Sequence, residues 1–147
     1  MSYLNNKLII HREDNFLEKE NCNYLINIFN KSNPSVYRDT FILDYVDQNI
    51  LDKVSHEFNT YNLKNPDKME LTKWPVNSKM DLHHDVGDRL AFLIYLNDNF
   101  EGGETIIDGI TIKPKTGRLV LFSNGVYKHQ VKKINNGTRY TLIAWYK

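Results

Sequence analysis

The sequence predicts a mainly β domain with its helices confined to the N-terminal part, an α+β arrangement. Three observations carry that expectation. Helical periodicity is limited to the first sixty-odd residues, and about eight short strand candidates separated by turn signals follow from residue 68. No repeat or linker divides the 147 residues, a length at which one domain buries roughly 70% of its unfolded surface. A single domain is therefore expected over residues 1–147, with a helical lead-in at 1–66 and the β core at 67–147.

Taken in order, a short strand is expected at 7–10. Between residues 16 and 31, Cys22, Leu25, Ile26 and Phe29 recur at i, i+3, i+4 and i+7, one face of an amphipathic helix that Asn33-Pro34 stops. Cys22 belongs to that apolar stripe and reads as an inert core residue. A strand at 40–46 leads to a second helix at 48–61, where Leu51, Val54, Phe58 and Tyr61 share one stripe and His56 falls off it. The later strand candidates are 68–74, 80–83, 89–97, 104–108, 109–113, 118–122, 128–134 and 138–146. Residues 90–96 and 140–146 are continuous apolar runs, as in strands covered on both faces. Residues 110–113 and 128–134 alternate, as in strands with one face in water. One sheet should thus be covered by the helices and another left open.

Nineteen basic and eighteen acidic residues leave a net charge of +1, which gives no electrostatic footprint for nucleic acid or an anionic membrane surface. No run approaches 18 apolar residues, and the first residues hold no apolar signal core. The lone Cys22 excludes a disulfide framework, so a reducing, cytoplasmic setting is expected.

His83-His84-Asp85 contains a His-x-Asp triplet whose outer residues point to one side of an extended chain and can grip a single ion. The pattern alone is cheap: His11-Arg12-Glu13 has a similar form, lacks a second half and reads as surface. His129, on a later alternating strand, completes two imidazoles and one carboxylate. That set suits Fe(II) and leaves positions open for a bidentate 2-oxo acid and dioxygen. Arg139, ten residues further on, offers a planar fork for the distal carboxylate of such an acid. Strand parity tests the set. A two-residue hairpin at Asn136-Gly137 would leave His129 and Arg139 on opposite faces. A shared pocket needs a bulge, or a chain that crosses between facing sheets at 135–137. A double-stranded β-helix, the cupin-like jelly roll, makes that crossing. Arg139, Thr141, Ile143 and Trp145 then look inward, while Leu142 and Ala144 look outward to the helices. His84 faces away, which makes a hydrolytic zinc site from His83, His84 and His129 a poor reading. Gly102-Gly103 reads as a turn.

Residues 16–26, His83-His-Asp85, Tyr95-Leu-Asn97, Glu101-Gly-Gly-Glu-Thr105, residues 113–122, His129-Gln-Val131 and Gly137-Thr-Arg-Tyr140 follow one another in a specific order. In that order the chain resembles the Fe(II)- and 2-oxoglutarate-dependent dioxygenases, most closely their prolyl 4-hydroxylase-like branch. The resemblance implies that His83, Asp85 and His129 hold iron and that Arg139 anchors the distal carboxylate of 2-oxoglutarate. It also implies that Tyr95 and Thr105 help hold that co-substrate and that Trp145 stands near the substrate. Fe(II), 2-oxoglutarate and dioxygen are the implied cofactor and co-substrates, with ascorbate to keep the iron reduced. The implied reaction is hydroxylation of an unactivated C–H bond, first of all in a peptidyl proline. A free amino acid or other small molecule is the alternative substrate, and a non-enzymatic metal-binding jelly-roll module the alternative of another class. Nucleic-acid demethylation is disfavoured by the near-neutral charge and by the absence of a second arginine after Arg139. The chain departs from the branch upstream of the triplet, where Trp74, Asn77 and Met80 replace a Tyr-x-x-Gly-x-x-Tyr pattern. Those changes bear on the substrate rather than on the iron chemistry.

Overall fold

The computed structural model describes residues 10–147, so residues 7–9 of the expected first strand lie outside the described part. Strand β1 (Ile10–Glu13) leads to helix α1 (Lys19–Asn30), which buries Cys22, Leu25 and Phe29. The helix starts three residues later than the apolar pattern begins. Phe16 and Leu17 are buried from the preceding loop instead, where both backbone N–H groups donate to the Gly117 carbonyl. A hairpin of β2 (Ser35–Tyr37) and β3 (Thr40–Asp44) precedes α2 (Gln48–Glu57), whose first turn is capped by Asp47 Oδ1 accepting from the Ile50 N–H at 3.1 Å. The stripe expected to run to Tyr61 breaks at Phe58. A 3-10 turn, Asn59–Tyr61, ends on Asn62 in the left-handed region, and the Tyr61 hydroxyl meets His11 Nε2 at 2.6 Å.

The remaining strands are β4 (Lys68–Trp74), β5 (Met80–His83), β6 (Leu90–Tyr95), β7 (Glu101–Gly102), β8 (Thr105–Ile107), β9 (Ile110–Ile112), β10 (Leu119–Phe122), β11 (His129–Val131), β12 (Ile134–Asn136) and β13 (Arg139–Tyr146). They are mostly β structure around few helices. A seven-stranded sheet runs β1-β10-β6-β13-β4-β3-β2, a four-stranded sheet β5-β11-β8-β9, and β12 pairs only with β7. The expected strand at 128–134 is in fact two. Its first part, β11, lies in the four-stranded sheet, and its last residue, Ile134, opens β12, which pairs with the two-residue β7 that the sequence pattern does not show.

The sheet crossing required by parity is present. β11 pairs with β5 and β8, whereas β13 pairs with β4 and β6 in the larger sheet. Leu142 and Ala144 pack in the core shared with Leu25, Phe29 and Leu51 of the helices. Burying this face against the helices is the main stabilising contribution of the N-terminal layer. On the other face of the same sheet, Leu93, Tyr95 and Phe122 form a second core with Ile107 and Ile112 of the smaller sheet. Between the sheets a cavity of about 670 Å³ opens, walled on one side by the inward alternate residues of β4 and β13. Their register pairs Arg139 with Trp74, Thr141 with Thr72, Ile143 with Glu70 and Trp145 with Lys68, and all eight line the cavity.

Candidate metal centre

His83 is the last residue of β5 and His129 the first of β11, and the antiparallel register sets them directly opposite one another. Their ring centroids are 4.3 Å apart. Asp85 reaches the same point from the loop after β5. His83 Nε2 lies 3.4 Å from Asp85 Oδ1, and His129 Nε2 lies 3.4 Å from Asp85 Oδ2. These three form the one group of potential metal ligands found among the described residues, with ligand atoms all within 4.8 Å of each other.

The donor chemistry favours a cation. His83 Nδ1 is 2.8 Å from the Asp81 carbonyl and His129 Nδ1 is 2.9 Å from the Tyr127 carbonyl. A carbonyl can only accept, so each Nδ1 carries the hydrogen and each neutral ring aims its Nε2 lone pair at Asp85. An ionised carboxylate also offers only lone pairs. Imidazole and carboxylate lone pairs facing each other at 3.4 Å require positive charge between them, supplied by added protons or by one metal ion. With protons on the two Nε2 atoms, burial works against ionising Asp85, yet hydrogen bonds from His129, His83 and Asn124 hold its carboxyl well below the ordinary range. The hydrogen bond to Asp85 in turn raises the His83 pKa. Two imidazole nitrogens and one carboxylate fit a metal such as Fe(II) that keeps open positions.

Arg139 occupies the same cavity. It is 2% exposed, Nε donates to the Gly103 carbonyl at 3.0 Å, and Nη2 donates to Thr105 Oγ1 at 3.0 Å. The guanidinium carbon lies 4.8 Å from the Trp74 ring centre and 5.2 Å from that of Tyr95. No carboxylate pairs with it among the described residues, and burial lowers its pKa. A buried guanidinium without an anion is costly unless a ligand brings one, and the distal carboxylate of a 2-oxo acid fits that requirement.

The remaining residues singled out from the sequence fall in different layers. Thr105 lines the cavity, whereas Tyr95 stands behind it, with its hydroxyl 2.5 Å from Thr105 Oγ1 and its ring against Arg139. Tyr95 thus acts on the pocket through Thr105 and Arg139. Trp145 is half-buried in the cavity wall near Lys68. Asn77 takes the left-handed conformation at φ 75°, and Met80 lines the cavity. His84 and His56 are exposed and Cys22 is buried, with burial pushing its thiol pKa up to about 11. Three contributors escaped sequence reasoning: Glu70, a buried carboxylate on the cavity wall; Asn124, bonded to Asp85; and Gly103.

Gly103 is more than a turn. At φ +70° a Cβ there would sit 2.6 Å from Ile134, 2.7 Å from Phe100 and 3.1 Å from the Arg139 side chain. Gly103→Ala is therefore expected to cost about 1–3 kcal/mol of stability and to weaken binding of a 2-oxo acid by displacing Arg139. Thermal melts and calorimetric titration check both effects, and unchanged 2-oxoglutarate affinity would show that Arg139 absorbs the clash without moving.

Residues 69–147 match the sequence model of the 2OG-Fe(II) oxygenase superfamily. Prolyl 3-hydroxylase 2 of Rattus norvegicus is 40% identical over a segment covering 37% of this chain and 9% of that protein, so this chain spans only a small part of the curated relative it matches. The collagen prolyl hydroxylase of Paramecium Bursaria Chlorella virus-1, solved as a 2OG complex, superposes with a TM-score of 0.74 at 20% identity, covering 92% of this chain and 93% of that one. A Pseudomonas putida prolyl-4-hydroxylase gives 0.73 at 20% identity, over 94% and 91% of the two chains. At such identities the two structures show a shared fold.

Proposed function

This chain belongs to the 2OG-Fe(II) oxygenase superfamily, and on that premise we propose that it hydroxylates a proline within a polypeptide. Fe(II), 2-oxoglutarate and dioxygen are the cofactor and co-substrates of that superfamily. Bound iron supplies the redox chemistry that couples decarboxylation of 2-oxoglutarate to succinate with insertion of one oxygen atom into a C–H bond. In this reading His83, Asp85 and His129 hold the metal, and Arg139, with Thr105, takes the distal carboxylate of the co-substrate. Trp145 and Met80 then face the substrate. We further read the two facing sheets as a double-stranded β-helix forming one catalytic domain, with residues 1–66 as its helical layer and 67–147 as its core. A cytoplasmic setting, supported by the lone buried Cys22, and ascorbate as reductant belong to the same reading.

One observation carries the proposal: a His-Asp-His set and a buried cation that has no anionic partner among the described residues share one cavity. The choice of a prolyl substrate is supported by the three proteins compared, each of which is named a prolyl hydroxylase. Anaerobic Fe(II) with 2-oxoglutarate is expected to give the weak visible charge-transfer band of the superfamily. A succinate-release screen over proline-rich peptides and free amino acids should then give turnover with a prolyl peptide, which gains the mass of one oxygen. Turnover of free amino acids alone would overturn the peptidyl substrate, and no band with metallated protein would overturn the site assignment.

A further inference from the structure

Asn124 lies in the turn between β10 and β11 and is wholly buried. Its side-chain nitrogen has two hydrogens and two carboxylate acceptors: Asp85 Oδ2 at 2.8 Å and Asp88 Oδ2 at 3.0 Å, both residues lining the cavity. Its backbone carbonyl accepts from the Asp85 N–H at 2.9 Å. The neighbouring residue leaves no slack, because a Cβ on Gly125 would stand 2.0 Å from the Asp88 carbonyl oxygen. The 85–88 turn is itself closed by the Asp88 N–H donating to the Asp85 carbonyl at 3.1 Å. With the amide reversed, its oxygen would face two carboxylates, so the electrostatics fix its orientation.

From this geometry we infer that Asn124 is a positioning residue of the metal centre. It sets the turn of the Asp85 carboxylate toward His83 and His129, because rotation of that carboxylate would break the bond at Oδ2. Without the shared amide, two like charges on one short turn would repel, and Asp85 would lose the only neutral donor holding it among the described residues. The inference rests on the proposed His83–Asp85–His129 metal site.

Mn(II) alone, titrated into chelator-stripped protein, tests it. In Asn124→Leu, which keeps the side-chain volume and the backbone bond to Asp85, the dissociation constant for Mn(II) should rise about 10- to 100-fold. In Asp88→Asn it should change less. Should Asn124→Leu not fold, Asn124→Ala, which keeps the same backbone bond, decides the matter. A merely structural asparagine would lower the thermal midpoint of the metal-free protein and leave the Mn(II) affinity of the folded variant within about twofold of wild type, against the 10- to 100-fold expected of a residue that orients a ligand; that result overturns the inference. Failure of the wild-type chain to bind Mn(II) would overturn the metal site and this inference with it.

Discussion

Replacing His129 by alanine is expected to abolish the Fe(II)·2-oxoglutarate absorption band and to take succinate release below detection, whereas His84→Ala leaves both intact. His129 supplies one of the three converging ligand atoms found among the described residues. Its loss should therefore exceed the roughly 10- to 100-fold penalty for removing a group that merely orients a ligand. His84 is a clean control, since it follows His83 directly but is exposed and belongs to no ligand group among the described residues. The His129 ring also packs edge-on against Phe122 at 5.0 Å. A truncated ring therefore leaves a small void, and the thermal midpoint of the metal-free variant must be measured alongside. A folded His129→Ala protein that still gives the band would remove this residue from the site.

The parts of this site legible in the sequence are those governed by strand parity. Arg139, Thr141, Ile143 and Trp145 could be placed on one face of a strand because a period of two leaves no freedom once Leu142 and Ala144 are assigned to the helices. The facing position of His129 followed from the need for a sheet crossing at 135–137, and the register bears that out. Short pairings were not legible. β7 has two residues and β12 three, too few for any periodicity, and the pairing tolerates only glycine at position 102, where a Cβ would stand 2.0 Å from the Lys133 carbonyl oxygen. The end of α2 was misjudged because Phe58 and Tyr61 continue the apolar stripe, while their contacts with His11 draw the chain into a tighter turn. Glu70 and Asn124 were missed for a different reason. Each is polar in a segment where polar residues ordinarily face water, and what buries it is a partner far along the chain: the cavity wall for Glu70, and Asp85 thirty-nine residues away for Asn124.

Arg139→Met is expected to separate co-substrate binding from stability. Removing one partner of a buried, hydrogen-bonded charge pair costs about 2–5 kcal/mol, so 2-oxoglutarate affinity measured with Mn(II) present should fall roughly 30- to 5,000-fold. Arg139→Lys should fall between the two, since it keeps the charge but loses the planar fork. The metal-free protein tells a different story. There the guanidinium is buried without a carboxylate partner among the described residues, and an apolar side chain of similar reach removes that desolvation cost. Against this stands the loss of the bonds to the Gly103 carbonyl and Thr105 Oγ1, of which Thr105 keeps its contact with Tyr95. The two effects are comparable, about 1–3 kcal/mol each, and the metal-free melting temperature should move little. In wild type, 2-oxoglutarate at about 100 times its dissociation constant should add about 2.7 kcal/mol of stability, roughly 5–10 °C for a domain of this size; in Arg139→Met the same concentration should add almost nothing. A variant that melts early without ligand yet keeps the full ligand-induced shift would assign Arg139 to the core and leave the distal carboxylate to another group.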